Sequence, residues 1–172
     1  MTEKAERIRL VAFDVDGVLT DGSITLTDGG EQIKSFSVTD GTGIKYLMRA
    51  GLDVALITGR SSRAVEHRAA ELGIEYVFQG AKRKIEPYEA LLEMTGLTDE
   101  NVAYVGDDLP DIPILRRCGL GIAVADAADE VKEAADRITA ARGGKGAARE
   151  VAEFILKAQD KWQQILARYV EP

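Results

Sequence analysis

The chain has 172 residues, of which 45% are hydrophobic and 30% charged, and its formal net charge is −7. This balance suits one compact domain with a sizeable core, and the interspersed charges exclude a long disordered tail. The acidic net charge and the lack of a basic stripe argue against nucleic-acid binding.

Apolar runs alternate with helical patterns along the chain. Five runs are nearly continuous in apolar residues, at positions 8–13, 54–57, 76–78, 102–105 and 120–124. Strands that are buried on both faces of a parallel sheet have this composition. Five helical patterns accompany them, at positions 43–50, 63–72, 85–94, 112–117 and 129–135. The alternation predicts an α/β fold with a doubly wound, mainly parallel (Rossmann-like) sheet.

The segment between the first strand and the first helix breaks this alternation. Positions 23–26 and 32–38 are β-prone and flank Thr27-Asp28-Gly29-Gly30, and Asp-Gly between such runs is typical of a hairpin. We predict a β-hairpin insertion over about 22–38, in a single domain of residues 1–172 without a large cap domain. The stretch Asp40-Gly41-Thr42-Gly43 predicts a loop that caps the first helix.

The C-terminal part, over about 146–169, predicts one long helix. Apolar residues recur there at spacings of three and four, namely Val151, Phe154, Ile155, Ala158, Trp162, Ile165, Leu166 and Tyr169. Two interpretations are open for this stripe. It packs on the sheet of its own chain, or part of it faces another subunit.

Two aspartates follow the first predicted strand directly. Asp14 and Asp16 are separated by one residue, and Gly17 allows the backbone to turn sharply beside them. Carboxylates at such a position are costly to desolvate unless a cation compensates them. Mg²⁺ prefers hard oxygen ligands, so this pair predicts a magnesium site.

Thr58 and Gly59 follow the next strand, where a hydroxyl group and a helix N-terminus can bind a phosphate oxygen. Lys84 stands just before a helix, against the helix dipole. A solvated surface position is the default for any single lysine, and we expect Lys82 and Arg83 to lie on the surface.

Three carboxylates follow the strand at 102–105, at Asp107, Asp108 and Asp111. They repel one another unless a cation is present. Asp108 and Asp111 have the alternative role of capping the following helix. For Asp107 we favour metal binding over capping.

The set DxDGV, TGR, K and GDD, in this order and at strand ends, resembles the haloacid dehalogenase superfamily over nearly the whole chain. This resemblance implies an Mg²⁺-dependent phosphatase. Asp14 would attack phosphorus and form an aspartyl phosphate, while Asp16 would protonate the leaving alcohol and then deprotonate the hydrolytic water. Asp14, the backbone carbonyl of Asp16, and Asp107 would hold Mg²⁺.

The same resemblance assigns the remaining polar residues of the four motifs. Thr58 and Lys84 would bind the phosphoryl oxygens. Asp108 and Asp111 would support the metal or orient Lys84. These roles agree with phosphoryl transfer, which depends mostly on positioning and on neutralising negative charge.

Longer stretches, among them FDVDGVLTDG, FSVTDGTGIKYL and GGKGAAREV, resemble a capless family within that superfamily. Its members are tetrameric phosphatases of acidic keto-sugar phosphates such as 3-deoxy-D-manno-octulosonate 8-phosphate (Kdo 8-phosphate), in lipopolysaccharide precursor synthesis. The resemblance implies a homotetramer in which a neighbouring subunit completes each site, and it places the loop 142–146 near the site entrance. It assigns substrate binding to Asp16, Ser37, Thr39, Asp40, Gly41, Lys45, Thr58, Gly59, Arg60, Arg68 and Lys84.

Arg60 bears on which sugar phosphate is bound. A sister family that acts on 2-keto-3-deoxynononate 9-phosphate (KDN 9-phosphate) tends to carry Glu after the Thr-Gly pair, so Arg60 favours the eight-carbon substrate. KDN 9-phosphate stays open, because fold and chemistry do not fix the substrate. A non-catalytic assembly domain is also possible, although it would be expected to have a broken motif.

A signalling receiver domain is the rival from another class, since it too has a phosphorylatable Asp in an acidic Mg²⁺ pocket. Receivers lack an acid two residues after that Asp, and their acidic pair precedes it. Asp16 is present here, and Asp107 and Asp108 follow Asp14 in the chain. Both observations argue against a receiver.

Cysteine content and hydropathy bear on the compartment. Cys118 is the one cysteine, so no internal disulfide is possible, which fits a reducing cytoplasm. The charged N-terminus lacks the apolar stretch of a signal peptide, and no run approaches the roughly 20 apolar residues that span a bilayer. We expect a cytoplasmic protein without a membrane partner.

Overall fold

The computed structural model describes residues 2–170, which form eight helices and eight strands. The strands are β1 (Leu10–Phe13), β2 (Thr25–Leu26), β3 (Gln32–Ile33), β4 (Asp53–Ile57), β5 (Tyr76–Phe78), β6 (Val102–Gly106), β7 (Leu120–Ala123) and β8 (Arg137–Ile138). The helices are α1 (Thr2–Glu6), α2 (Val38–Arg49), α3 (Arg63–Leu72), α4 (Ile85–Thr95), α5 (Ile112–Leu115), α6 (Asp129–Ala134), α7 (Ala147–Ala158) and α8 (Trp162–Val170).

Six strands form one parallel sheet in the order β5-β4-β1-β6-β7-β8. Every residue of β1, β6 and β7 is buried, as their apolar composition predicts. The doubly wound, mainly parallel α/β fold predicted from the sequence is therefore confirmed. The two-residue strand β8 and the short helix α1 were not predicted, because neither has a periodic apolar run long enough to be recognised.

The register of the central strands determines where the polar loops meet. Phe13, the last residue of β1, lies opposite Leu56 of β4 and Val105 of β6. All three strands are parallel, so the loops that follow them start at the same edge of the sheet. Ligand sites of open α/β sheets form at this carboxyl edge.

The hairpin is shorter than the sequence predicted. Strands β2 and β3 have two residues each, pair antiparallel, and are joined by the loop 27–31. The predicted strand over 32–38 ends early, because α2 begins at Val38 and the Ser37 hydroxyl accepts a hydrogen bond from the Asp40 backbone amide. The predicted capping loop at 40–43 is therefore wrong, since these residues belong to the first turns of α2.

Close helix packing explains why two glycines lie inside α2. A Cβ atom on Gly43 would lie 2.7 Å from Arg149 Cα of α7, and one on Gly41 would lie 2.2 Å from Arg68 Nη2 of α3. Glycine in a helix interior costs about 1 kcal/mol relative to alanine. Here that cost is offset because α2 approaches its neighbours more closely than a side chain would permit.

The C-terminal segment forms two helices instead of the single predicted helix. Asp160 has a left-handed φ of 56°, and the Lys161 amide donates to the Leu156 carbonyl at 2.8 Å, which ends α7. Helix α7 buries its apolar face in the core of its own chain. In α8, Ile165 is buried and Tyr169 is exposed. No helix within residues 2–170 is both long and apolar enough to cross a membrane.

Candidate active site

A cavity of about 330 Å³ opens at the carboxyl edge of the sheet, next to the hairpin. Its walls come from the loops after β1, β4, β5 and β6. Eight residues singled out in the sequence line it, namely Asp14, Asp16, Thr58, Gly59, Arg60, Lys84, Asp107 and Asp108. The structure thus brings together residues of all four motifs, which lie as far apart in the chain as Asp14 and Asp108.

Lys84 is buried and makes two ion pairs, so the default surface position does not apply to it. Its Nζ atom lies 2.9 Å from Asp14 Oδ2 and 2.6 Å from Asp111 Oδ1, and its side chain is 6% exposed. Burial is the largest single influence on the pKa of Lys84 and lowers it. The charges and hydrogen bonds of Asp14 and Asp111 together outweigh burial and raise the pKa above its usual value. Lys84 therefore stays charged beside Asp14.

Asp111 has no accessible surface and holds Lys84 in place. Its Oδ1 accepts hydrogen bonds from Lys84 and from the Tyr104 hydroxyl, each at 2.6 Å. Its Oδ2 accepts from the backbone amides of Asp107 at 3.0 Å and Asp108 at 3.2 Å. Because four donors already occupy these oxygens, the geometry favours the orientation of Lys84 over metal ligation.

Asp108 takes the capping alternative. Its side chain accepts a hydrogen bond from the backbone amide of Leu109 at 2.8 Å, at the start of the short turn before α5. The residue is exposed at the rim of the cavity.

Asp14 and Asp107 each place one carboxylate oxygen in the cavity wall whose burial is not compensated by a hydrogen bond within residues 2–170. Asp14 Oδ1 and Asp107 Oδ1 are buried and have no hydrogen-bond partner among the described residues. Burial, and then repulsion from Asp111, raises the pKa of Asp14 to about 6 although Lys84 opposes the shift. Burial, and then the charges of Asp14 and Asp111, raises the pKa of Asp107 to about 8.

These two orphaned oxygens fit a hard divalent cation. Ligand atoms of Asp14 and Asp107 lie within 4.8 Å of each other, and carboxylate oxygens are the donors that Mg²⁺ prefers. The backbone makes room for this approach at Gly17, which has a φ of +88° and where a Cβ atom would lie 2.0 Å from Asp107 Oδ2. The residues present thus fit a magnesium site.

Lys34 is a residue at this site that the sequence analysis missed. It follows β3 in the hairpin, and its ammonium group forms an ion pair with the Asp16 carboxylate. A lysine in a short connection belongs to no motif. Only the fold of the hairpin over the first loop brings it to the cavity, so no sequence signal would have identified it.

The other residues assigned to substrate binding have different contacts in this chain. Ser37 and the exposed Thr39 line a second cavity of about 420 Å³. Asp40 is buried, and its carboxylate accepts hydrogen bonds from the backbone amides of Gly146 and Arg149, each at 3.1 Å, at the start of α7. These contacts give Asp40 a structural role at that helix end.

Gly41, Lys45 and Arg68 lie where α2 faces α3. Gly41 packs against the Arg68 guanidinium. Arg68 donates to Glu71 at 2.8 Å and to the Ser37 carbonyl at 3.2 Å. Arg68 and, more weakly, Lys45 lower the pKa of Glu71, so both cations lie near this carboxylate.

The glycine-rich loop 142–146 packs on the turn that follows Asp14. The Gly144 amide donates to the Val18 carbonyl at 2.8 Å. A Cβ atom on Gly143 would lie 1.7 Å from the Gly17 carbonyl oxygen. The loop therefore supports the turn that carries Gly17.

Sequence comparison identifies the family. Residues 77–151 match the family model described as haloacid dehalogenase-like hydrolase. The chain is 48% identical over 158 residues to the 3-deoxy-D-manno-octulosonate 8-phosphate phosphatase of Escherichia coli (strain K12), which covers 92% of this chain and 84% of that protein. The chain belongs to this phosphatase family, within the haloacid dehalogenase-like hydrolases.

Solved structures of Kdo 8-phosphate phosphatases and their relatives share this fold closely. A probable YrbI family phosphatase from Pseudomonas syringae superposes with a TM-score of 0.98 at 48% identity, covering 99% of this chain and 97% of that one. The Kdo 8-phosphate phosphatase of Moraxella catarrhalis, solved with magnesium, phosphate and Kdo, gives 0.96 at 42% identity and covers 98% and 97%. The predicted resemblance is confirmed.

Proposed function

We propose that this chain is an Mg²⁺-dependent phosphoric monoester hydrolase that converts Kdo 8-phosphate to Kdo and inorganic phosphate, in lipopolysaccharide precursor synthesis. The observation that carries the proposal is the pair of orphaned carboxylate oxygens on Asp14 and Asp107 beside the buried Lys84. The 48% identity to the Escherichia coli phosphatase supports the choice of substrate.

Asp14 is the nucleophile of the proposed reaction. Lys84 binds Asp14 Oδ2 and the cation would neutralise Oδ1, so the carboxylate is held in place for its attack on phosphorus. The Asp14–phosphorus bond forms as the bond from phosphorus to the sugar C8 oxygen breaks, which yields an aspartyl phosphate and an alcohol. A covalent intermediate of this kind divides the hydrolysis into two easier steps.

Asp16 carries the proton in both steps. It protonates the departing C8 oxygen, and it then takes a proton from the water that attacks the phosphorus of the aspartyl phosphate. That second step releases inorganic phosphate and restores the Asp14 carboxylate.

The remaining residues of the cavity neutralise and orient the phosphoryl group. Lys84 and the buried Thr58 hydroxyl bind its oxygens. Asp14, the Asp16 backbone carbonyl and Asp107 would hold Mg²⁺, which supplies charge neutralisation when it is bound.

Arg60 is the residue of this cavity best suited to the substrate carboxylate. It lies exposed on the cavity wall, and a guanidinium group can bind a carboxylate with two hydrogen bonds. KDN 9-phosphate, which also carries a carboxylate and a phosphate, is the alternative substrate.

A homotetramer whose sites are completed by a neighbouring subunit is part of the proposal. Apolar side chains on and beside the hairpin are exposed, at Ile24, Leu26, Ile33 and Val38. Several exposed apolar side chains in one short segment favour association with a second copy. Lys45 and Arg68, which do not line the cavity of their own chain in the described structure, would then serve a neighbour's site.

We place the enzyme in the cytoplasm. Its one cysteine, Cys118, is a free, buried thiol, and burial raises its pKa to about 12. A thiol of this kind is unreactive and suits a reducing compartment.

The test of this function is phosphate release from a panel of esters in the presence of Mg²⁺. The panel holds Kdo 8-phosphate, KDN 9-phosphate, hexose and pentose phosphates, and an aryl phosphate. We expect kcat/KM for Kdo 8-phosphate to exceed the others by about a hundredfold, which corresponds to about 2.7 kcal/mol. Equal, slow turnover of all esters would contradict the substrate but leave the phosphatase chemistry standing.

A further inference from the structure

Lys34 is a buried cation in a hairpin that is otherwise largely exposed. Thr25, Leu26 and Ile33 are exposed, whereas the Lys34 side chain is only 3% exposed. Withdrawing an ammonium group from water is costly unless an opposite charge compensates it. The Asp16 carboxylate provides that charge.

Asp16 depends on this contact for its placement. Its side chain is 21% exposed at the cavity, and among residues 2–170 Lys34 is the only donor to its carboxylate. Asp111, by contrast, accepts from four donors, namely three groups of the sheet edge and Lys84. The carboxyl group that must move protons is thus the one held from outside the sheet.

We propose that Lys34 is a positioning residue, which holds the Asp16 carboxyl group at the cavity and so makes acid–base catalysis depend on the docked hairpin. The inference rests on the proposed function, in which Asp16 exchanges protons with the leaving oxygen and with water.

The physical reason is the short range of proton transfer. A general acid must lie within about 2.6–3.2 Å of the atom that it protonates. An aspartate side chain without a partner is free to occupy several rotamers, and a misplacement of about 1 Å can cost about a hundredfold in rate. The ion pair with Lys34 restricts the Asp16 side chain to one position. It does not involve Asp14 or Lys84, the lysine that pairs with Asp14.

The competing role for Lys34 is direct binding of the substrate. Steady-state kinetics distinguish this role from positioning of Asp16. Positioning of Asp16 affects the transition state, so Lys34→Met should lower kcat for Kdo 8-phosphate by about ten- to hundredfold and change KM by less than about threefold. An aryl phosphate has a good leaving group that needs little protonation. Because kcat/KM reports only the steps up to release of the leaving group, kcat/KM for the aryl phosphate should fall much less.

A double-mutant cycle with Asp16→Asn is the decisive experiment. We would measure kcat for Kdo 8-phosphate in the wild type, Lys34→Met, Asp16→Asn and the double variant, with the exposed Lys82→Met as the matched control. If Lys34 acts through Asp16, Lys34→Met should cost less than about threefold in the Asp16→Asn background. Lys34→Arg should recover part of the lost activity, and Lys82→Met should match the wild type.

Three results would overturn the inference. An equal loss from Lys34→Met in both backgrounds would mean that Lys34 acts independently of Asp16. A raised KM with unchanged kcat would make Lys34 a substrate ligand. Full activity of Asp16→Asn would remove the acid–base role of Asp16, and the proposed mechanism would fail with it. Light scattering on each variant checks that assembly is unchanged, and Lys34→Gln replaces the Met variant if that one does not fold.

Discussion

The strand-end loops and the segment 22–41 both contribute to the site, but they are held in place by different means. Asp14, Thr58 and Asp107 follow paired strands of one parallel sheet, so the sheet register fixes their positions. The hairpin and the first turns of α2 lie outside that sheet, where Lys34 is placed by its ion pair with Asp16 and Gly41 by the packing of α2 on α3. The sheet edge therefore fixes the proposed nucleophile and cation ligands, whereas the proposed acid–base group, Asp16, depends on the hairpin.

The strand-end region should be the more sensitive to loss of a single carboxylate. Asp14→Asn removes the proposed nucleophile, so we expect kcat to fall about a thousandfold or more. The fold should survive, because the change removes a buried charge that repels Asp111. Phosphate release and thermal unfolding of the variant measure the two effects, and a variant with near wild-type turnover would refute the assignment.

Asp111→Ala tests how firmly the sheet edge is held together. The change leaves Lys84 and Tyr104 without their shared acceptor, and we expect a loss of about 3–5 kcal/mol in unfolding free energy. Tyr104→Phe is the matched control, since it removes one hydrogen bond and should cost about 1 kcal/mol. Equal effects in urea unfolding would contradict the central role of Asp111.

The metal-free protein should become less stable as pH rises. The pKa values of Asp14 and Asp107 are about 6 and about 8, above the unfolded value of 3.8. The folded state therefore binds more protons than the unfolded state, so this stabilising contribution is complete below the unfolded pKa and is lost as pH rises from about 4 to about 8.

Urea unfolding in the presence of a chelator, at about pH 5.5 and at about pH 8, measures this loss of stability over the upper part of that pH range. Addition of Mg²⁺ at the higher pH should restore stability, because the ion binds the folded state. Asp107→Asn is the control and should show a weaker pH dependence. Stability that rises with pH in the chelated protein would contradict these pKa shifts.

Gly43→Ala tests α2, the helix that follows the hairpin, where packing rather than charge decides the structure. The added methyl group would meet the Arg149 backbone, so we expect a loss of about 1–3 kcal/mol in unfolding free energy. Gly29→Ala is the control in the exposed hairpin loop, where the nearest atom lies 3.7 Å away, and it should have little effect. Equal stabilities of the two variants would show that α2 and α7 have room to separate.

The same contrast explains what the sequence could predict. Continuous apolar runs identify strands buried in a parallel sheet, and the carboxyl edge of that sheet then collects Asp14, Thr58, Lys84 and Asp107. These local signals were sufficient because each residue directly follows its strand or precedes its helix.

Signals that depend on packing were not readable in the same way. Gly41 and Gly43 resemble helix breakers in the sequence, and only the approach of α3 and α7 explains them. Asp160 ends α7 with a left-handed residue that interrupts an otherwise regular apolar stripe. Lys34 belongs to no motif, and its partner Asp16 lies 18 positions away. Each of these features requires knowledge of which elements become neighbours.

The proposed reaction depends above all on the phosphorylation of Asp14 during turnover. Wild-type enzyme turning over Kdo 8-phosphate with Mg²⁺ would be quenched and treated with borohydride, which reduces an acyl phosphate to an alcohol. We expect homoserine at position 14 by peptide mass spectrometry in the wild type, and no homoserine at that position when substrate is left out. Reduction at another carboxylate, or rapid phosphate release with an unmodified Asp14, would contradict this expectation.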